Sequence, residues 1–132
     1  MAQSLRLRSF RRAPMSWGWM SKRPVPHQVM DEWVYPMATS RAIRRDFRKY
    51  ARSGPDKATL LEWAERQRAF PRPVLVVWAS EDRLMPRAHG RRLVELFPNA
   101  RLVEIADRYT LIPEDQPGRL SDAIRQFIAD TS

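Results

Sequence analysis

Residues 73–105 read PVLVVWASEDRLMPRAHGRRLVELFPNARLVEI, and this stretch decides the fold. It begins with the unbroken β-favouring run 74–78, which is typical of a strand buried on both faces of a parallel sheet. A loop at 79–86 leads to a helical pattern over 87–97, and a second strand is predicted over 101–106. Strand, helix and strand in this order predict two parallel strands joined by a right-handed crossover.

The sequence after the second strand predicts a loop and one further helix. The loop covers 107–116, and Pro117 suits the first helical position because a helix needs no N–H there. The apolar stripe of this last helix consists of Leu120, Ile124, Phe127 and Ile128. Residues 71–132 are therefore predicted to form a β–α–β–α unit.

The two halves of the chain differ in charge. Residues 1–72 hold 16 Lys and Arg against 6 Asp and Glu, whereas residues 73–132 hold 8 against 9. A uniformly basic nucleic-acid-binding domain does not normally show this asymmetry, and composition alone does not identify what the basic half binds. The basic, irregular stretch 1–26 has features of a mitochondrial-type presequence, but its two tryptophans argue against a cleaved leader.

Three short helices are predicted in the rest of the basic half. The first spans 27–35, between two prolines. The second begins after the N-cap candidate Ser40 and ends at the Ser-Gly-Pro sequence of 53–55. The third begins after the N-cap candidate Asp56 and ends before Pro71.

The second and third helices are predicted to be amphipathic. The second has one apolar face, formed by Ile43, Phe47, Tyr50 and Ala51. Its other face is basic and consists of Arg44, Arg45, Arg48 and Lys49. The third is expected to point Leu60, Leu61 and Ala64 inward. The basic cluster has two interpretations, a nucleic-acid-binding patch or a solvated helix face, and the solvated face is the more common case.

Composition excludes several classes of site. The chain has no cysteine, so disulfides, thiolate metal ligands and cysteine nucleophiles are absent. Its only histidines are His27 and His89, which argues against a zinc site built from several histidines. The longest apolar run, 74–79, is far shorter than the roughly 20 residues of a membrane-spanning helix. We expect a cytoplasmic protein with no metal, no cofactor and no membrane span.

Residues 73–105, together with Asp115-Gln116-Pro117, resemble the C-terminal end of an α/β-hydrolase. Strand, acid loop, helix, strand and last helix recur in the same order over about 72–130. Residues 1–70 are similar, more weakly, to the helical cap that many such enzymes insert before this point. The resemblance implies an α/β fold in which 71–132 form the C-terminal β–α–β–α part of the parallel sheet and 1–70 form a cap-like segment.

The resemblance also suggests where a catalytic acid would lie. Members of the family use a nucleophile on a strand-to-helix turn, then an Asp or Glu, then a His, in that order along the chain. Asp82, four residues before Pro86, stands at the acid position, and Glu81 is the adjacent alternative. Asp82 also has a non-catalytic interpretation, as a loop carboxylate that accepts backbone N–H bonds at the start of a helix.

The other two catalytic groups are missing from this sequence. The position of the family histidine falls on Thr110, whose hydroxyl is not a base near neutral pH. Neither histidine matches this position, and we expect His89 to be a surface or helix-packing residue. None of the four glycines belongs to a Gly-x-Ser-x-Gly sequence, and no His-Gly-Gly sequence occurs to form an oxyanion hole.

These observations leave two hypotheses for function. In the first, the chain is part of an α/β-hydrolase, inactive alone, derived from a truncated gene, a misplaced start codon or a remnant. Complete relatives would hydrolyse a small ester, epoxide or carbon–halogen bond, and this chain would bind substrate only if the missing strands completed it. The cap residues Trp17, Trp19, Trp33 and Met37 would line the pocket or simply form core. In the second, the basic half is a non-enzymatic module that binds an acidic partner, nucleic acid or a membrane surface. Exposed strand edges also predict self-association.

Overall fold

The computed structural model describes residues 11–14 and 16–132. Residues 1–10, part of the stretch compared above with a presequence, lie outside these ranges. A short 3₁₀ turn at Trp17–Trp19 precedes the regular elements. In chain order these are α1 His27–Thr39, α2 Arg41–Arg52, α3 Lys57–Arg68, β1 Val74–Ala79, α4 Arg87–Leu96, β2 Ala100–Ile105, α5 Ile112–Asp115 and α6 Pro117–Thr131.

The two strands form a parallel sheet, as the sequence predicts. β1 and β2 pair in register from Val74 opposite Ala100 to Ala79 opposite Ile105. Within the described residues the sheet has these two strands and no more. The protein therefore belongs to the α/β class, and the carboxyl ends of both strands lie at the same edge of the sheet.

Helices cover both faces of this small sheet. On one face Trp78 lies directly against α4, because a Cβ on Gly90 would come within 2.9 Å of the indole ring. On the other face the buried residues Ala79, Ile105 and Ile112 form a cluster. Val77, Val103 and Leu120 pack around that cluster. This second layer is built from α5 and α6. β1 is therefore covered on both faces, with Val76 and Ala79 buried and its other four residues partly buried.

The ends of the helices in the basic half follow local capping rules. The Ser40 hydroxyl accepts the Ile43 N–H at 3.3 Å, and the Asp56 carboxylate accepts the Thr59 N–H at 2.8 Å. Both N-cap predictions are therefore confirmed. The predicted end of the first helix before Pro36 is wrong, because α1 continues to Thr39. A proline inside a helix removes one N–H bond, here the bond to the Glu32 carbonyl, and α1 continues past Pro36 without it.

The prediction that α3 points its leucines inward is also wrong. Leu60 and Leu61 are 50% and 58% exposed, and neither α2 nor α3 contains a buried residue. In α6, likewise, Ile124 and Ile128 lie exposed on the outer part of the predicted stripe. Within the described part of the chain, no layer covers Leu60 and Leu61 of α3. α6 does pack on the sheet through Leu120, and only the outer part of its stripe, Ile124 and Ile128, stays exposed.

Candidate functional site

The two site residues predicted from the sequence contact each other. Asp82 lies in the loop after β1 and Thr110 in the loop after β2. The Thr110 hydroxyl Oγ1 donates a hydrogen bond of 2.7 Å to Asp82 Oδ1. The contact follows from the topology, because the loops that leave neighbouring parallel strands meet at the carboxyl edge of the sheet.

The same carboxylate oxygen also organises the loop that leads into α4. Asp82 Oδ1 accepts the backbone N–H groups of Leu84 at 2.8 Å and Met85 at 2.9 Å. These are the bonds expected of a structural loop carboxylate. Both interpretations of Asp82 therefore have a geometric counterpart in the structure, and one oxygen is shared among three donors.

Glu81, the alternative acid, is engaged elsewhere. Its carboxylate accepts from Lys22 Nζ at 2.7 Å and from the backbone N–H of Asp107 at 3.1 Å. Lys22 Nζ also lies 2.9 Å from the Asp107 carboxylate. The hydrogen bond from Lys22 lowers the pKa of both carboxyl groups, and the two acids in turn raise the pKa of Lys22. This cluster ties the chain before α1 to both loops of the sheet edge.

A cation–aromatic stack lies beside the Asp82–Thr110 contact. Arg83 and Tyr109 each neighbour one of the two site residues in sequence, and the Arg83 guanidinium lies 3.6 Å from the centroid of the Tyr109 ring. Arg83 also donates a hydrogen bond to the Tyr109 hydroxyl and lies 5.6 Å from the Trp19 ring centroid. The stack therefore joins the two loops a second time.

Asp115 is a buried residue whose role the sequence did not reveal. It is 0% exposed, and its carboxylate accepts hydrogen bonds from one side chain and three backbone groups. The donors are the Ser21 hydroxyl at 2.7 Å and the N–H groups of Lys22, Arg23 and Tyr109 at 2.8, 2.9 and 3.3 Å. Burial raises the pKa of Asp115, but these bonds outweigh it and hold the pKa below its usual value. The sequence signal was an Asp just before a helix-opening proline, which does not identify its partners.

Arg108 is a second buried charge in the loop after β2. It is 0% exposed, and its Nε and Nη2 atoms donate to the Ala106 carbonyl. Its Nη1 atom has no hydrogen-bond partner among the described residues. Burial lowers the pKa of this guanidinium. These hydrogen bonds hold the Arg108 side chain against the backbone of Ala106, in the segment between the end of β2 and Thr110.

The histidines and the main surface grooves lie apart from the Asp82–Thr110 contact. His89 is exposed on α4, where it lines a groove of about 650 Å³ with Trp78 and Leu93. His27 is exposed at the start of α1 and lines a second groove of about 390 Å³. Neither groove is lined by Asp82 or Thr110. Neither histidine therefore shares a groove with the Asp82–Thr110 contact.

The aromatic residues expected to line a cap pocket are divided between two contacts. Trp17 packs edge-to-face against Trp33, with ring centroids 6.3 Å apart. Trp19 instead lies near the Arg83 guanidinium. None of these three tryptophans lines either of the two grooves. These contacts fit the interpretation of the tryptophans as packing residues.

Metal ligands and membrane spans are the two remaining kinds of feature that bear on function. Across residues 11–14 and 16–132, no group of three or more His, Asp or Glu side chains is placed to hold a metal ion. No helix in the same ranges is both long enough and apolar enough to cross a membrane.

Solved structures reveal which fold this is. A mutant of the meta-cleavage product hydrolase CumD superposes with a TM-score of 0.60 at 18% identity, over 80% of this chain and 40% of that one. The described chain has part of the α/β-hydrolase fold. A thermophilic esterase from Thermogutta terrifontis is 26% identical, with a TM-score of 0.49 over 52% of this chain and 25% of that one.

A curated relative also matches part of this chain. It is the uncharacterized hydrolase YugF of Bacillus subtilis (strain 168), which is 34% identical over 64 residues. The match covers 48% of this chain and 23% of YugF, so the chain spans about a quarter of the curated relative. No protein-family model matches the chain.

Proposed function

We propose that this chain is the cap-like and C-terminal part of an α/β-hydrolase, and that it has no hydrolytic activity alone. The hydrogen bond between Thr110 Oγ1 and Asp82 Oδ1 carries the proposal. The carboxylate at the position of the family acid is paired with a hydroxyl at the position of the family histidine. A threonine hydroxyl does not accept a proton from a nucleophile near neutral pH, so this pair does not act as a general base.

The nucleophile and the oxyanion hole are missing from the same chain. Its sequence holds no Gly-x-Ser-x-Gly turn and no His-Gly-Gly stretch. A carboxylate without nucleophile, base or oxyanion donors has no group to activate and no charge to stabilise. We infer that small esters, epoxides or carbon–halogen compounds are substrates only where the rest of the fold is supplied.

The proposal also divides the chain into two segments and places the protein in the cytoplasm. Residues 1–70 form the cap-like segment, and residues 71–132 form the C-terminal part of the hydrolase sheet. The division is supported by the lack of buried residues in α2 and α3, compared with the strand and helix layers that follow. A cytoplasmic location stays a prediction.

The test is hydrolysis of p-nitrophenyl acetate by the purified chain, with Asp82→Asn and Thr110→His as variants. We expect all three proteins to match a heat-inactivated control. In Thr110→His the new imidazole lies beside Asp82, so its pKa should rise above about 6.5, which NMR titration measures. The proposal is contradicted if the wild-type chain turns over substrate and Asp82→Asn abolishes that turnover.

The second candidate, an interaction module, is favoured by one observation. The basic face and the apolar stripe of α2 are both exposed. A salt-dependent gel shift distinguishes nucleic-acid binding, which weakens steeply as salt rises, from an absence of binding.

A further inference from the structure

α2 presents an uncovered apolar stripe. Ile43, Phe47 and Tyr50 follow one another at i, i+4 and i+7 and are 42%, 49% and 79% exposed. They therefore lie on one side of the helix, and α2 packs against α1 without burying any of its own residues. Large apolar side chains that remain exposed along one stripe mark a surface for contact with another body.

The remaining sides of α2 carry positive charge that the described chain does not neutralise. Arg41, Arg48, Lys49 and Arg52 are exposed, and no ion pair with them is found in residues 11–14 and 16–132. Arg45 pairs with the neighbouring Asp46, the one acid of this helix. The basic residues and the apolar stripe together occupy most of the helix circumference.

The orientation of α2 is held by bonds to the end of α1. Arg44 Nη1 donates to the carbonyls of Met37 and Ala38 at 2.9 and 3.1 Å. The Ser40 cap fixes the first turn of α2. In the arrangement that these bonds support, the apolar stripe of α2 faces solvent.

We propose that α2 is a docking helix for an anionic phospholipid surface, with Ile43, Phe47 and Tyr50 entering the boundary between headgroups and acyl chains. A bilayer satisfies both features of the helix, since lipid phosphates attract its Lys and Arg and acyl chains accept its apolar side chains. A nucleic acid would meet the charges and leave the stripe in water. In a dimer of this chain formed through the stripe, two basic α2 helices would lie against each other and their like charges would repel.

This proposal uses no residue of the Asp82–Thr110 site, so its failure and the failure of the hydrolase proposal are distinguishable, although α2 lies in the segment assigned above as cap-like. α2 is 12 residues long, too short to cross a bilayer, so it would lie in the plane of the surface.

The test is flotation of the full chain with two kinds of vesicle. One contains only phosphatidylcholine, and the other contains about 30 mol% phosphatidylglycerol, which supplies the negative surface charge. We expect the wild-type chain to float with the anionic vesicles, less as salt is raised, and to stay unbound with the neutral ones. Arg48→Glu/Lys49→Glu should weaken this binding on the order of thirtyfold or more.

Two further variants test whether binding depends on α2 itself, and not only on the net charge of the chain or on a loss of folding. Arg91→Glu/Arg92→Glu on α4 changes the net charge by the same amount at another exposed site and should keep most of the binding. Phe47→Glu should bind the anionic vesicles less, because it places a charged side chain in the apolar stripe. If Phe47→Glu loses its helical circular dichroism, Phe47→Ser replaces it with a smaller polar side chain, and the charge variants still decide the question.

Several results would overturn the proposal. These are equal binding to neutral vesicles, an equal loss in the α4 control, or unchanged binding when Phe47 is replaced. Light scattering that shows a dimer broken by Phe47→Glu, with no flotation, would assign the stripe to a second copy. Tight binding of a DNA duplex that is insensitive to Phe47 but not to Arg48 and Lys49, with no flotation, would assign the helix to nucleic acid.

Discussion

At the scale of single residues, Asp115 joins two distant parts of the chain. Its carboxylate takes the N–H groups of Lys22 and Arg23 from the segment before α1 and that of Tyr109 from the loop after β2. A buried carboxylate is stable only when hydrogen bonds replace the water it has lost. Asp115 therefore positions the segment that carries Lys22 against the loop that carries Thr110.

Replacing Asp115 is expected to destabilise the protein. Asp115→Ala leaves three backbone N–H groups without their acceptor, while the Ser21 hydroxyl can still donate to the Arg23 carbonyl at 2.8 Å. We expect the loss to cost about 3 kcal/mol of unfolding free energy. Urea denaturation measures the effect. Asp122→Ala on α6 is the matched control, because that carboxylate is exposed and pairs only with Arg125 among the described residues, so little change is expected. Equal effects of the two variants would show that the bonds of Asp115 contribute nothing.

Asp115 also predicts how stability depends on pH. Its pKa is lowered from the ordinary value of 3.8, so the carboxylate stabilises the fold above that pH and the contribution is lost as pH falls through the folded pKa. The unfolding free energy should fall as pH drops below about 5 and should go on falling through the folded pKa, and less steeply in Asp115→Asn. An identical slope in the two proteins would place the acid sensitivity elsewhere, for example in the Glu81–Lys22–Asp107 cluster.

At the scale of elements, the contact between α4 and β1 depends on a glycine. The Trp78 ring occupies the space that a side chain at Gly90 would need, with 2.9 Å from the ideal Cβ to the nearest ring atoms. The helix can lie this close to the sheet because the residue at its contact point has no Cβ. Arg87 adds an ion pair from the first turn of α4 to Glu104 on β2.

Gly90→Ala is expected to lower stability by about 1–3 kcal/mol, because the added methyl group forces the indole ring or the helix to move. Gly118→Ala is the control, since nothing lies within 4 Å of its Cβ and it is also in a helix. That change should be neutral or stabilising by up to about 1 kcal/mol. Thermal melts of both variants test the prediction, and a stabilised Gly90→Ala would rule out the close packing of α4 on Trp78.

At the scale of the whole molecule, helices cover the two faces of the sheet, but many large apolar side chains stay exposed. The sheet has two strands, and large apolar side chains on α2, α3 and α6 remain exposed. A sheet of this size buries less apolar area than a complete domain would, and strands with unpaired edges are templates for association with other chains.

We expect the isolated chain to be marginally stable or to self-associate through its sheet edges. Size-exclusion chromatography over a range of concentrations should show species larger than a monomer, or thermal melting should show a broad, weakly cooperative transition. Phe47→Glu should leave this association unchanged, because α2 is not part of the sheet. A monodisperse monomer that melts sharply above about 60 °C would show that the chain is a self-sufficient fold.

Local signals in the sequence were enough for the main elements. The run 74–78, the caps Ser40 and Asp56 and the helix-opening Pro117 act on their near neighbours, so their effects are readable without the fold. The meeting of Asp82 and Thr110 was predictable in outline, because parallel strands end at the same edge. Their roles in a catalytic site stay a prediction.

Other features of the protein depend on residues that are far apart in the chain, and only the tertiary structure revealed them. The partners of Asp115 lie up to 94 residues away, and no local pattern identifies them. The exposure of Leu60 and Leu61 has the same origin, since an apolar residue is buried only if another layer covers it. The sequence by itself determined the order of the main strands and helices and the two N-caps, because those depend on neighbouring residues. It missed the short helix α5 inside the predicted loop 107–116 and the continuation of α1 past Pro36. Burial, distant hydrogen bonds and open faces were decided by which elements pack together.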